Sequence, residues 1–355
     1  MKENLKTLVA MLKSNKFGIA WSSITRRFYY SKEQINYELC YGVGKIGDTI
    51  LVRLNNPEIA EIEFPNGRIG VIYKNQLMIG ALGYRESPIS YVGGIPKEGL
   101  IVKPENKNYL SLLSKSGLMG ALISKSEYCE NPPGFEPIAL FKFENRILNL
   151  ANFALESSER LNKIAPLLIV VGSSSECGKT TVCSRLIRGL ASRGLKVAAA
   201  KLTGAGSIRD KLKFIDSGAF PVYDFVDGGL ASTPDSLSII LPAKGILNKI
   251  MEESKPDVII IELAGSLLVE ANKAILLDKE IRKYLKGVIF TANDEISAVG
   301  GLYILQNKYN INPLCFSGKV TDNIAGIKYV YKETGIPAIN WRNIKQMIKI
   351  VKDKL

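Results

Sequence analysis

The sequence contains no histidine. That removes imidazole general-base chemistry, a Ser-His-Asp triad and histidine-ligated metals, so proton transfer falls to Asp, Glu, Lys, Tyr, Cys or bound water. Cysteine is sparse: Cys40, Cys129, Cys177, Cys183 and Cys315 are odd in number, widely scattered and form no Cys-x-x-Cys pair. Neither a disulfide framework nor a zinc site follows from such spacing. Long apolar runs are missing as well. No segment reaches membrane-spanning length without Gly, Pro or charge. The opening MKENLKTLVAMLKSNK is too short and too charged for a signal peptide or a spanning helix. A cytoplasmic location without a membrane partner is expected.

What remains is an ordinary globular balance of 46% hydrophobic and 23% charged residues, and 355 residues favour two domains. The formal net charge of +13 raises nucleic acid as a partner. Its distribution argues otherwise. Residues 1–165 carry a net +5 and residues 166–355 a net +8, lysine-rich and dispersed, without interleaved aromatics. Only the end, WRNIKQMIKIVKDKL, is locally basic, and Ile344, Met347, Ile348 and Val351 give it the apolar stripe of a docked helix. Nucleic-acid binding is therefore not expected.

The texture of the chain changes near residue 160. Residues 2–14 have the pattern of an amphipathic helix. Between about 48 and 103, short apolar or alternating runs are punctuated by Asn-Asn-Pro, Pro-Asn-Gly and Gly-Gly, the signature of a small antiparallel sheet or barrel. A helical stretch is expected at 107–118 and a further strand within 137–149. From 166 onward strands alternate with helices: strands at 166–172, 196–201, 221–226, 257–263, 286–292, 312–316 and 337–340, and a helix at 179–193 closed by Gly194. That rhythm specifies an α/β fold, a parallel sheet with helices on both faces. The expected division is a β-rich N-terminal domain with an N-terminal helix at 1–160 and the α/β domain at 161–355.

The densest information lies in PLLIVVGSSSECGKTT, residues 166–181. A β-branched strand runs into a serine-rich loop, and Gly178-Lys179-Thr180-Thr181 opens a helix. That order is the context a phosphate-binding loop requires. The loop Gly172, Ser173, Ser174, Ser175, Glu176, Cys177, Gly178 would wrap phosphates with backbone N–H groups at the positive end of the helix. Lys179 would reach the outer phosphates, Thr180 would ligate Mg²⁺, and Thr181 on the same turn completes the expected nucleotide-binding set. As a charge on a loop, Lys179 is expected to be exposed and dispensable for folding. The written motif wants Gly at position 173, which is Ser here; Gly172 sits one place earlier. Cys177 reads as packing against the loop.

In such a sheet, ligands collect at the carboxyl ends of the strands. There the sequence offers Lys201, Asp224, Asp227, Glu262 and Asn293. A pure aliphatic strand ending in one carboxylate, DVIIIE, is how phosphate-loop enzymes present a second Mg²⁺-facing group, which makes Glu262 a metal candidate. Asp224 is a further metal candidate, although Asp224 and Asp227 also fit an Asp-Gly turn. Lys201 should point into the crevice beside the loop. Asn293 lies where a base-reading side chain sits, and the guanine-specific Asn-Lys-x-Asp string is absent (Asn293-Asp294-Glu295-Ile296), so adenine is favoured.

Together these strings resemble dethiobiotin synthetase, a branch of phosphate-loop proteins. GSSSECGKT is similar to its GTDTxVGKT loop, AAKLTGAG to its lysine-bearing strand end, and DVIIIELAGSL to its DLVLVEGAGG segment. The resemblance implies phosphate and Mg²⁺ roles for Lys179, Thr180 and Glu262, and a place for Lys201 near the reacting groups. The signature lysine of the related plasmid-partitioning ATPases would fall at Ser174 and is absent. The D-glutamate N-acetyltransferase family is similar in other details. Its Thr-Gly strand end, DFxxGA segment and EGQGSL segment are matched by Thr203-Gly204, Asp224 through Gly229, and Glu262 through Leu267, with Leu263 replacing Gly. Both resemblances cover about 166–295, and residues 1–160 match neither.

The expected function is Mg-ATP-dependent phosphoryl transfer of kinase or ligase type to a small carboxylate or similar acceptor, with Lys179, Lys201 and Glu262 as the catalytic set. The alternatives are an acyl-CoA-dependent N-acyltransferase, whose loop holds the coenzyme A phosphates, and a nucleotide-gated binding or maturation NTPase. The expected partners are a nucleotide, a small-molecule substrate and, as a candidate, a second copy of the chain.

Overall fold

The run TILVRL at 49–54 sends alternate side chains to opposite sides of its strand, and the first unit is built on that alternation. Ile50, Val52 and Leu54 enter one buried cluster while Leu51 enters another. Met78 and Leu82 divide from Leu77 and Ile79 in the same way, as do Phe135 and Leu140 from Ala139 and Phe141. The strands Thr49–Asn56, Gly134–Phe143, Leu110–Ser114, Leu118–Lys125 and Leu77–Leu82 pair in that order, and the last pairs back to the first. The result is a closed barrel whose interior is the first cluster, with no free edge between these five strands. The second cluster lies outside it, where Leu8 and Leu12 of helix Leu5–Lys13 join Trp21, Phe28 and Tyr37.

This computed structural model describes residues 5–14, 18–104, 109–233, 235 and 238–355. The chain falls into two units. One comprises Met1–Ala154, Ala205–Ile208 and Gly229–Thr233; the other comprises Leu155–Gly204, Arg209–Gly228 and Pro234–Leu355. The helix expected at 107–118 is a correction. From Leu110 onward the segment is two antiparallel strands joined by a turn, because Leu110 and Leu112 alternate into the barrel interior; residues 107 and 108 lie outside the described residues. The strand expected within 137–149 starts and ends earlier, as Gly134–Phe143, and is hairpinned to Arg146–Ile147. Glu144 and Asn145 both adopt positive φ at that turn. For the expected helix at 2–14, residues 5–13 are helical and 2–4 lie outside the described residues.

The second unit is a six-stranded, all-parallel sheet. Its strands are β1 (Leu167–Gly172), β2 (Val197–Lys201), β3 (Val222–Asp224), β4 (Val258–Glu262), β5 (Leu285–Thr291) and β6 (Cys315–Ser317), in the order β3-β2-β4-β1-β5-β6. Residues 337–340 contribute only an isolated bridge, Phe316 with Ala338. Every residue of β1 and β4 is buried, which explains their unbroken apolar runs. Helices α1 (Lys179–Ala191), α2 (Arg209–Asp216), α3 (Ile240–Ser254), α4 (Glu270–Leu277), α5 (Lys279–Tyr284), α6 (Glu295–Tyr309), α7 (Ile324–Thr334) and α8 (Ile344–Lys352) connect and cover the strands. Helices α1 and α8 pack on the face that presents Leu168, Val170, Ile260 and Ile289. Met347, Ile348 and Val351 dock the terminal helix through the stripe read from sequence. On the other face Phe290 lies against Gly301 of α6. This is a P-loop α/β sheet with helices on both faces. Among the described residues no helix is long and apolar enough to cross a membrane.

Candidate functional site

Crowding dictates the shape of the loop between β1 and α1. A Cβ on Gly172 would lie 2.3 Å from Cys177 Sγ and 2.5 Å from Thr291 Oγ1, so the strand must end in glycine at 172. Thr291, the last residue of β5, accepts Ser173 N–H on its carbonyl at 2.9 Å, and its Oγ1 lies 2.9 Å from Cys177 Sγ. Cys177 is fully buried and holds the loop against β5. Glu176 (φ +63°) and Gly178 (φ +103°) take left-handed conformations, turning the chain back onto the helix axis. Ser174 Oγ donates to the Ser175 carbonyl at 2.8 Å and accepts Asn293 Nδ2 at 2.7 Å, so Asn293 does join the loop. Ser173 Oγ is buried without a hydrogen-bond partner.

Lys179 corrects an expectation. It is buried, only 6% exposed, because its ammonium folds inward to donate to the carbonyls of Ser174 at 2.5 Å and Gly265 at 2.8 Å. The cation thus sits inside the arc of the loop. Thr180, in the first turn of α1, donates its hydroxyl to Glu262 Oε1 at 3.1 Å. Thr181 is exposed on the same turn. Glu262 closes β4 and is 2% exposed. In register beside it, Lys201 closes β2 and brings Nζ to 3.3 Å from the same Oε1. Glu262 Oε2 is buried with no partner.

Lys201 also pairs with Asp210 on the first turn of α2. Burial disfavours its charge, but the Glu262 and Asp210 carboxylates outweigh that and raise its pKa. For Asp210, burial pushes the pKa up and the Lys201 ammonium prevails, holding it below the ordinary value. Lys179 and Lys201 thus face Glu262 and Asp210 at the centre of the cluster, and Lys213 approaches Asp210 from the rim at 3.9 Å.

The remaining residues divide. Asp224 pairs in register with Lys201 across β2 and β3, yet its Oδ1 accepts the N–H groups of Val226 and Asp227 and so stabilises a turn. Asp227 accepts Asp224 N–H and pairs with Lys211 at 2.6 Å. Among the described residues no three His, Cys, Asp or Glu side chains gather to hold a metal ion. Thr180 and Glu262 nonetheless offer hard oxygen donors suited to Mg²⁺, and the orphaned Glu262 Oε2 is the polar atom such an ion would satisfy. Sequence reasoning missed Asp210, Thr291 and Gly318, whose following residue donates to the Cys177 carbonyl at 3.3 Å. Asp210 stands between Arg209 and Lys211 and reads as one of several solvated charges. Gly318 follows a strand end, the position where such sites belong.

A cleft of about 430 Å³ lies elsewhere, in the first unit, lined by Trp21, Tyr29, Tyr30, Phe64 and Arg68.

Sheet order, loop and strand-end carboxylate define the class: a P-loop NTPase fold. No protein-family model and no curated protein matches the chain. Solved structures similar to it include the signal recognition particle receptor FtsY from Elizabethkingia anophelis in complex with GDP. That structure is 17% identical, over 52% of this chain and 59% of that one, with a TM-score of 0.37. The cell division protein FtsY from Thermotoga maritima is 20% identical over 53% and 65%, at 0.36. A DUF1611 family protein from Anabaena variabilis is 14% identical over 57% and 62%, also at 0.36. In each case the matched region spans less than two thirds of the neighbour. At these scores the likeness speaks to neither nucleotide nor activity.

Proposed function

We propose that the chain is a Mg²⁺- and ATP-dependent enzyme that transfers the terminal phosphoryl group to a small carboxylate. The observation that carries this reading is the contact of Thr180, Glu262 and Lys201 at the carboxyl edge of the sheet, beside the buried Lys179. Phosphoryl transfer needs little covalent help from a protein and depends on positioning and charge neutralisation. The loop N–H groups and Lys179 would hold the phosphates, and Asn293 would face the rest of the nucleotide. Mg²⁺, held by Thr180 and Glu262, would supply neutralisation of the phosphate oxygens when bound. Lys201, kept charged by two carboxylates, would orient the anionic acceptor and stabilise charge as it develops. Mg²⁺ would add positive charge to this cluster, which suits a ligand carrying several negative charges.

Thermal-shift titration with ATP, GTP and acetyl-CoA, each with and without Mg²⁺, tests the reading. Mg²⁺-dependent stabilisation by ATP, followed by ADP release with small carboxylates, is the expected result. Stabilisation by acetyl-CoA alone, independent of Mg²⁺, would replace it with the N-acyltransferase. A response to GTP without any acceptor-dependent turnover would replace it with a nucleotide-gated binding protein.

A further inference from the structure

Asn272 lies in the first turn of helix α4 and is only 1% exposed. A buried side-chain amide needs partners for both N–H groups and its oxygen. All are present. Asn272 Nδ2 donates to the carbonyls of Ala264 at 2.6 Å and Ser266 at 2.8 Å. Its Oδ1 accepts the Thr203 hydroxyl at 2.8 Å, and Thr203 Oγ1 in turn accepts Ala264 N–H at 2.7 Å. The two carbonyls fix the orientation of the amide, because the flipped form would set its oxygen against them. This closed network locks residues 264–266, just beyond Glu262, from two independent elements, α4 and the turn after β2.

The middle residue of that loop, Gly265, presents its carbonyl to Lys179 Nζ at 2.8 Å. Lys179 has three N–H donors. Two are taken by Ser174 and Gly265, and the third faces only the Cys177 sulfur at 3.6 Å, a weak acceptor that a phosphate oxygen would displace. The direction of that third donor depends on the Gly265 carbonyl staying in place.

We propose that Asn272 and Thr203 form a latch that aims Lys179 at the outer phosphates, making Asn272 a positioning residue for triphosphate recognition. The inference rests on the nucleotide reading above. A purely structural tether would affect all ligands alike. A latch acting through Lys179 has a graded effect, because the lysine reaches the outer two phosphates and a diphosphate offers only one of them.

The test is calorimetric titration of the full chain with ADP and with a non-hydrolysable ATP analogue, both with Mg²⁺. For Asn272→Ala the analogue should lose about tenfold in affinity, the scale of one hydrogen bond to a charged group, and ADP no more than about threefold. Thr203→Val should shift both affinities in the same sense, and Thr203→Ser, which keeps the hydroxyl, should restore them. This second pair decides the matter if Asn272→Ala does not fold. Equal losses for the two ligands, no loss, or failure of Thr203→Ser to restore binding overturns the latch while leaving nucleotide binding intact. Wild-type protein that binds neither ligand overturns the latch together with the nucleotide reading.

Discussion

The Thr180 hydroxyl donates to Glu262 Oε1 at 3.1 Å, joining the first turn of α1 to the end of β4, and Lys201 approaches the same oxygen at 3.3 Å. One carboxylate oxygen is thus shared by a hydroxyl and an ammonium while the other has no partner. Glu262→Gln keeps the shape and removes the charge. The Mg²⁺ concentration needed for half-maximal activity should rise by at least about tenfold, a loss seen even when a metal ligand merely loses its hydrogen-bond partner. Nucleotide affinity measured without Mg²⁺ should change less. An unchanged Mg²⁺ titration would assign Glu262 to structure alone.

Lys179→Ala should abolish turnover, with a loss of about 3–4 kcal/mol or more of transition-state stabilisation. Because Lys179 is buried against two carbonyls, the variant should also melt at a lower temperature than wild type in the absence of nucleotide. Near-normal turnover would remove the phosphate-loop assignment, and an unchanged melting point would show that water replaces the ammonium.

Lys201→Met separates chemistry from binding and exposes its own structural consequence. Turnover should fall about a hundredfold or more while ATP affinity stays within a few-fold, as for the loss of one charge-stabilising donor. The substitution also takes the nearest ammonium from two largely buried carboxylates, leaving Asp210 the more distant Lys213 at 3.9 Å, and breaking a buried pair from one side destabilises by about 3–5 kcal/mol. Adding Asp210→Asn should recover part of that stability, since one carboxylate deprived of its close ammonium remains instead of two, without recovering turnover. Denaturant unfolding of the two single variants and the double variant measures the coupling. Additive losses would mean that Lys201 and Asp210 do not interact in solution.

Asp210 carries a pH signature. Its folded pKa lies below the ordinary 3.8 because Lys201 holds it ionised. A carboxylate of this kind adds stability that is complete above its unfolded pKa and disappears as the pH falls through the folded one. Wild type should therefore lose stability more steeply than Asp210→Asn below about pH 4, with the two curves parallel at neutral pH. Curves that stay parallel down to pH 2 would show that folding does not lower the pKa of Asp210.

Much of the second unit was legible because its signals are local. The aliphatic runs of β1 and β4, the Gly-Lys-Thr helix start and the stripe of α8 each fix an element without reference to the rest of the chain. The Thr180–Glu262 pairing followed from the rule that sites collect at strand ends. Lys179 was misjudged because loop membership was taken to mean exposure, whereas Gly265, 86 residues further on, supplies the carbonyl that draws the ammonium inward. Asp210 was missed for the same kind of reason, since a single carboxylate among basic neighbours acquires meaning only when Lys201 folds beside it. In the first unit, LSLLSKSGLMGAL has apolar residues at both two- and three-residue spacings. The choice between helix and hairpin there is made by barrel closure, a nonlocal pairing that no window of the sequence contains.

The departure of the loop from its written pattern yields the last prediction. Glycine stands at 172 and serine at 173, one place off the expected spacing. Ser173 has room for its side chain, whereas a Cβ on residue 172 would meet Cys177 Sγ at 2.3 Å, Thr291 Oγ1 at 2.5 Å and the Thr291 carbonyl at 3.0 Å. Contacts this short force movement of a fully buried cysteine or of the end of β5. Gly172→Ala should therefore destabilise the protein by about 1–3 kcal/mol, the usual range for overpacking a filled interior, and displace the loop that begins at the next residue. Nucleotide affinity should fall with it. Ser173→Ala should leave stability nearly unchanged or slightly improved, since the hydroxyl it removes is buried without a partner. Cys177→Ala clears the nearest obstruction, so Gly172→Ala should be less damaging in that background, with the Thr291 contacts keeping the relief incomplete. Thermal unfolding of the four variants gives the comparison. If Gly172→Ala is as damaging with Cys177 absent as with it present, the crowding comes from β5 alone and the cysteine is not what requires glycine at the strand end.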